Sequence, residues 1–272
     1  LDGFNALAPA AQTKRPAPSD TDRLQPGPAF KQIVNRKSSI ENPYDWPMYR
    51  RDAARSGRAT TKVPATLKHS WQTDLGGRLT QPVVADGKLL VASVDTHTVH
   101  ALDAVSGTKL WSYTTGARVD SPPALYKGRV LFGSADGWVY CLRASDGALA
   151  WRFRAAPHEL RLMSYEQLES VWPVSGSVLI QDGVAYALAG RSMFLDGGMR
   201  LLRLDPLSGK KLSETILDDR DPRTGENLQS RILQKKMPVA LPDVLSSDGK
   251  FVYMRSQRFN LDGQRTIIDP EN

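Results

Sequence analysis

The sequence has 272 residues, a formal net charge of +7, a single cysteine, 21 glycines and 18 prolines. That length supports one or two domains with real cores. The lone Cys141 excludes an internal disulfide, and no apolar run approaches the length of a transmembrane helix. The modest positive charge reads as a solvated basic surface, because no nucleic-acid-binding motif accompanies it.

Residues 1–42 read as a Pro-rich linker or N-terminal arm. Pro9, Pro16, Pro18, Pro26 and Pro28 lie among Ala, Ser, Asp and Lys, a composition that favours extended, solvated backbone. Its apolar points, Leu1–Phe4 and Phe30–Val34, are either docking elements or uncommitted. Leu1–Ala11 lacks both a basic leader and an initiator Met, so a processed, cut or partial chain is expected.

The stretch from Asp45 to Val63 reads as an irregular piece bordering or plugging a ring, with Trp46 as its buried anchor. Arg50, Arg51, Arg55 and Arg58 form either a solvated face or an anion site. Leu67–Leu75 alternates like a strand and ends at Gly76-Gly77. Its Trp71 is expected to close a blade whose other strands come from the C-terminal end, tying the termini together and removing an open edge.

Two copies of one unit follow. The first runs from Gln81 through Asp86-Gly87, Val99–Asp103 and Ser106-Gly107 to Trp111. The second runs from Ser121 through Lys127-Gly128, Val139–Arg143 and Asp146-Gly147 to Trp151. Each predicts short apolar strands separated by Gly turns, and the spacing of about 40 residues is that of a propeller blade. Asp103, Gly107, Trp111, Gly147 and Trp151, with Asp205 and Gly209 further on, are the structural blade motif. Cys141, between Tyr140 and Leu142, reads as a small buried hydrophobe.

A third, enlarged blade is expected to start at Val171–Val174, continue at Asp182–Gly190 and Met199–Asp205, and turn at Leu207–Leu212. Pro157–Ser170, with Leu160, Met163 and Leu168 at helical spacing, predicts a short helical insertion. Arg191–Gly198 predicts a loop tipped by Met193, Phe194 and Leu195, either a lid or a contact site. Asp218–Lys236 reads as a connection. Met237–Ala240 starts a fourth blade that stays unfinished, since no closing Trp strand follows Leu261-Asp262-Gly263. The predicted architecture is all-β: a propeller of about four four-stranded antiparallel blades over 43–263, its ring incomplete, and a tail over 264–272.

Ala101–Trp111 closely resembles the repeat signature of the PQQ-like β-propellers, A-x-D-x-x-T-G-x-x-x-W, the family of quinoprotein alcohol dehydrogenases and of the assembly lipoprotein BamB. Asp45–Arg50 resembles the D-W-P-x-x-R opening of bacterial members. Arg143 departs from the signature where Asp103 fits it, and Ser213 departs where Trp111 and Trp151 fit it, which implies weaker docking between blades there. The resemblance implies, for a dehydrogenase, PQQ held over a Trp beneath a disulfide of adjacent cysteines, with calcium on Glu, Asn and Asp. One cysteine cannot supply that disulfide, and no Glu/Asn/Asp set aligns.

Local candidates for chemistry are sparse. His97 and His100 are close in sequence but would point to opposite faces of a regular strand, without a third metal ligand. Glu166 and Glu169 would lie together on the expected helix, either as a carboxylate pair or as a solvated face. No catalytic, cofactor-binding or metal residue is assigned. The expected function is a non-catalytic scaffold or binding platform outside the cytoplasm, with a protein partner or a remaining propeller segment, and with blade insertions as its contact surface. The alternatives are a PQQ- and calcium-dependent alcohol or sugar dehydrogenase completed outside this chain, and a module appended to a larger enzyme.

Overall fold

A computed structural model describes residues 19–32, 42, 44–59, 61–164, 166–221, 224–227, 242–255 and 257–266. Its sequence units become four antiparallel sheets, each a simple meander. The first blade is β2 (Val83–Ala85), β3 (Lys88–Ser93), β4 (Thr98–Asp103) and β5 (Lys109–Thr114). The second is β6 (Ala124–Tyr126), β7 (Arg129–Gly133), β8 (Trp138–Arg143) and β9 (Leu149–Arg154). The third is β12 (Leu179–Gln181), β13 (Val184–Ala189), β14 (Met199–Leu204) and β15 (Lys211–Leu217). The fourth is β16 (Ser246–Ser247), β17 (Phe251–Met254), β18 (Gln257–Asn260) and β19 (Arg265–Thr266).

In the first three blades the opening hairpin turns on two residues of positive φ, as a tight primed turn requires: Asp86-Gly87, Lys127-Gly128 and Asp182-Gly183. Apolar side chains fill the spaces between neighbouring sheets, giving one core cluster for each pair of adjacent blades. Cys141 lies in the middle of β8, fully buried, and burial pushes its thiol far above the usual range.

An indole laid over a glycine joins the first blade to the segment before it and each of the next two blades to the one before. Trp71 packs on Gly107, Trp111 on Gly147 and Trp151 on Gly209; a Cβ on those glycines would sit 2.3, 2.6 and 2.6 Å from the rings. Each indole Nε1–H donates to a turn carbonyl of the next unit, on Ala104, Ala144 and Pro206. The turns are shaped by Asp103, which accepts from the Ser106 amide at 2.8 Å, and Asp205, which accepts from the Leu207 amide at 2.9 Å. Arg143 instead clasps Asp146 through Nε and Nη2. At the last junction Ser213 replaces the indole. Here Tyr186 Oη donates to the Leu261 carbonyl at 2.7 Å, and Arg203 and Ser213 both donate to the Asp262 carbonyl at 3.1 Å. Polar contacts thus stand in for the missing ring.

Several expectations change. The helical insertion is a β-hairpin, β10 (Arg161–Ser164) with β11 (Gln167–Ser170), turning through Glu166 at φ 62°. The helical spacing of Leu160, Met163 and Leu168 loses because Glu169 is buried against arginines from two other loops, a tertiary pull that spacing cannot register. The third blade starts at β12 and not at Val171–Val174, since the Val174 amide bonds the Ser134 carbonyl and its side chain fills the space over Gly133. The fourth blade has a closing strand, β19, in residues expected as tail; Met237–Ala240 lies outside the described residues. Leu67–Leu75 forms no strand, and among the described residues no C-terminal strand joins it.

Two segments outside the repeats pack on the blades. Within 1–42, Asp20–Arg23 forms one helical turn and β1 (Leu24–Pro26) adds a fifth strand to the second blade, outside β9. Arg23 is buried there, over the Phe153 ring and 2.6 Å from Glu214. The second is a strap, residues 45–57, along the first strands of all four blades. Trp46 pairs with Val84 of β2, and the Leu125 amide of β6 donates to the Pro47 carbonyl. Arg55 Nη2 reaches Ser177 beside β12, Arg55 Nε donates to the Leu245 carbonyl, and the Ser247 amide of β16 donates to the Ala53 carbonyl. Arg55 is therefore a buried clasp and neither a solvated face nor an anion site. Among the described residues no helix is long and apolar enough to cross a membrane.

Candidate functional site: a charged cleft on one rim

In an antiparallel meander, the loop after the second strand and the loop after the fourth leave from the same end. Asp95 follows β3, Arg191 follows β13, Arg118 and Asp120 follow β5, and Ser175 lies between β9 and β12. These loops, with Arg78, Gln167 of the β10–β11 hairpin and Pro242, enclose a cleft of about 820 Å³.

Behind two of its lining arginines lies Glu169, 1 % exposed. One carboxylate oxygen lies 2.5 Å from Arg118 Nη2 and the other accepts from Arg191 Nη2 at 2.6 Å. Arg118 also lies 3.6 Å from Asp120, whose carboxyl is raised by burial in spite of that cation. At the mouth Arg78 pairs with Asp95 at 3.2 Å. The hairpin is pinned across the cleft: His97 Nε2 and Gln167 Oε1 are 2.9 Å apart, joining its tip to the β3–β4 turn. On the opposite wall Ser121 Oγ donates to the Ser175 carbonyl. The charges of the cleft are thus largely matched against each other, and they hold three blades and an insertion in register.

The two histidines are separated by their surroundings. His97 sits in the turn and holds Gln167. His100 is buried within β4, its pKa lowered by burial and then by Lys109. The pair Glu166 and Glu169 is also split, the first in the hairpin turn and the second in the cleft floor. Met193 is 1 % exposed and belongs to the core between the third and fourth blades, whereas Phe194 is 38 % and Leu195 60 % exposed. Met163 and Leu168, opposed across the hairpin, are exposed as well. Two insertions of one rim therefore present apolar side chains to solvent.

The cluster of Arg118, Glu169 and Arg191 was not foreseen. No local spacing connects these residues. The available signal was positional: each lies in, or inserted into, a loop of the 2→3 or 4→1 type, where blade topology gathers side chains on one rim.

A family profile described as outer membrane protein assembly factor BamB matches residues 53–267. The dehydrogenase subunit of the quinone alcohol dehydrogenase of Gluconobacter oxydans is 29 % identical over 166 residues, covering 53 % of this chain and 22 % of that protein. The outer membrane protein assembly factor BamB of Xanthomonas campestris pv. campestris is 31 % identical over 106 residues, 33 % of this chain and 26 % of that protein. The matches thus span about a quarter of the length of these relatives. The quinohemoprotein alcohol dehydrogenase of Comamonas testosteroni superposes with a TM-score of 0.59 at 17 % identity, covering 84 % of this chain and 41 % of that one, a likeness of fold.

Among the described residues no group of three His, Cys, Asp or Glu side chains is placed to hold a metal ion. Both oxygens of Glu169 face guanidinium groups, and Cys141 is enclosed within a sheet. What the repeat, the four meanders and the profile match establish together is a fold and a lineage: the chain belongs to the BamB-type family of PQQ-like β-propeller repeat proteins.

Proposed function

We propose that this chain is a non-catalytic binding platform, acting outside the cytoplasm as part of a larger protein or assembly. The observation that carries this reading is the division of labour on one rim. The ionic groups of the cleft are engaged in holding loops together, while Phe194, Leu195, Met163 and Leu168 are left exposed on two insertions beside it. Exposed apolar side chains on two insertions of one rim support a protein-contact surface. The relative named as an assembly factor supports the same role. Met193 belongs to the fold, so the contact tip is Phe194-Leu195.

Native mass spectrometry of the protein purified from its source tests this. The expected result is a species heavier than the chain that resolves into this polypeptide and a partner, or into one longer polypeptide. The double variant Phe194→Ser/Leu195→Ser should lose partner retention by about tenfold or more while melting as the wild type does. Wild-type protein found only at the mass of this chain would end the proposal; retention unchanged in the variant would remove the loop from it.

A second reading, a fragment of a quinone-dependent alcohol or sugar dehydrogenase, is favoured by the Gluconobacter match. Dye-linked oxidation of alcohols by the full native polypeptide supplied with PQQ and calcium would support it; no quinone binding by that polypeptide would remove it.

A further inference from the structure

The fifth strand of the second blade is held in a way that does not depend on its covalent attachment. Among the described residues the other three blades end at their fourth strand, and only β9 carries a further partner, β1, which comes from outside the repeats. Its main chain makes contacts open to any extended segment: Leu24–Pro26 runs antiparallel to Trp151–Phe153, and the Gly27 and Ala29 amides donate to the Ala150 and Leu149 carbonyls at 2.7 and 2.9 Å.

Specificity comes from two side-chain positions. Arg23 enters a pocket between the second and third blades. There Nε donates to the Arg154 carbonyl at 2.8 Å, Nη2 to the Ala155 carbonyl at 3.1 Å and Nη1 to Glu214 at 2.6 Å, with the guanidinium over Phe153. Three acceptors at the angles of a guanidinium fork and an aromatic face beneath it form a receptor for arginine. Four residues later Gly27 lies so close to the Leu149 carbonyl that a Cβ would approach it to 2.3 Å, which restricts that position to glycine.

From this geometry we infer that the outer edge of the second blade is a peptide-binding groove for extended segments of the form Arg-Leu-x-Pro-Gly, occupied in this structure by the chain's own residues 20–30. Recognition is by β-strand addition with an arginine anchor. The tethered segment enjoys an effective concentration on the order of millimolar. A partner segment therefore enters only by displacing it or when it is drawn away.

The test uses the full chain and a fluorescein-labelled peptide of residues 19–32. Two variants loosen the tethered copy: Arg23→Ala, which removes the anchor, and Gly27→Val, which clashes with Leu149. Near-ultraviolet circular dichroism of the tryptophans verifies their folding. Either variant is expected to bind the peptide at least about tenfold more tightly than the wild-type chain does, and to refuse a peptide carrying the Arg23→Ala change. A folded variant that binds no better than wild type, or that binds both peptides equally, overturns the proposal. Hydrogen exchange on the wild-type chain gives an independent reading. The Gly27 and Ala29 amides should exchange about a hundredfold or more faster than those of β8, through local release of the segment. Equal protection would show that β1 opens only with the blade, and would also overturn the proposal.

Discussion

Single residues carry the electrostatic argument. Glu169 keeps two guanidinium groups together in the cleft floor, and removing one partner of a buried ionic cluster leaves the others uncompensated. The Glu169→Gln variant is expected to lose about 3 kcal/mol of stability, read from urea denaturation. Glu214 gives a pH signature. Burial raises its carboxyl, but Arg23 and Lys211 together outweigh burial and hold it below the ordinary glutamate value. The stabilisation it supplies is therefore complete at neutral pH and disappears as pH falls through that lowered folded value. The gap between the urea midpoints of wild type and Glu214→Gln should be widest near about pH 7 and close on acidification to about pH 3. A gap independent of pH would show that Glu214 acts through packing. Glu169 stood out in the sequence only beside Glu166 on an expected helix, because its partners Arg118 and Arg191 lie in other loops; Glu214 did not stand out, because Arg23 lies far away along the chain.

At the scale of elements, the indole-on-glycine joint sets the blade spacing. Gly87 and Gly147 both have positive φ, but a Cβ on Gly87 meets nothing within 4 Å, whereas one on Gly147 meets the Trp111 ring. Both alanine variants bear the backbone cost, and only Gly147→Ala adds a steric one. We expect Gly147→Ala to be less stable than Gly87→Ala by about 1–2 kcal/mol, measured by thermal melting. These joints were readable in the sequence where glycine and tryptophan recur at a fixed spacing, with Arg143 and Ser213 as the departures from the pattern. The hairpin of Arg161–Ser170 was not. Its apolar residues fit a helical period, and only the burial of Glu169 against two distant loops selects the extended form. The start of the third blade was misread for a similar reason: Val171–Val174 is apolar and strand-like, yet it is committed to the second blade through Ser134.

For the whole molecule, the order of the four blades was readable in the sequence, because a blade is a local unit whose strands follow one another, whereas the expected joining of Leu67–Leu75 to C-terminal strands is not seen among the described residues. What the sequence could not convey was how the stack is held together, since the strap reaches one blade after another without any repeat of its own. The strap also changes how the molecule should come apart. An array in which each unit touches only its neighbours loses structure from its ends inward. Here thirteen consecutive positions, 45–57, run past every blade, so the terminal units share a common tie and the array behaves mechanically like a bound book instead of loose pages. Arg55 is the far stitch; burial lowers its pKa to about 10, opposed by Asp52 and Tyr49, and its three hydrogen bonds end on Tyr49, Ser177 and Leu245. Wild type should then unfold in one step, with the Cys141 thiol becoming available to a labelling reagent only in that step. Arg55→Met should lose about 2–3 kcal/mol and unfold in two, the fourth blade departing while Cys141 is still shielded. A single coincident transition in the variant would mean that the blade joints alone carry the cooperativity.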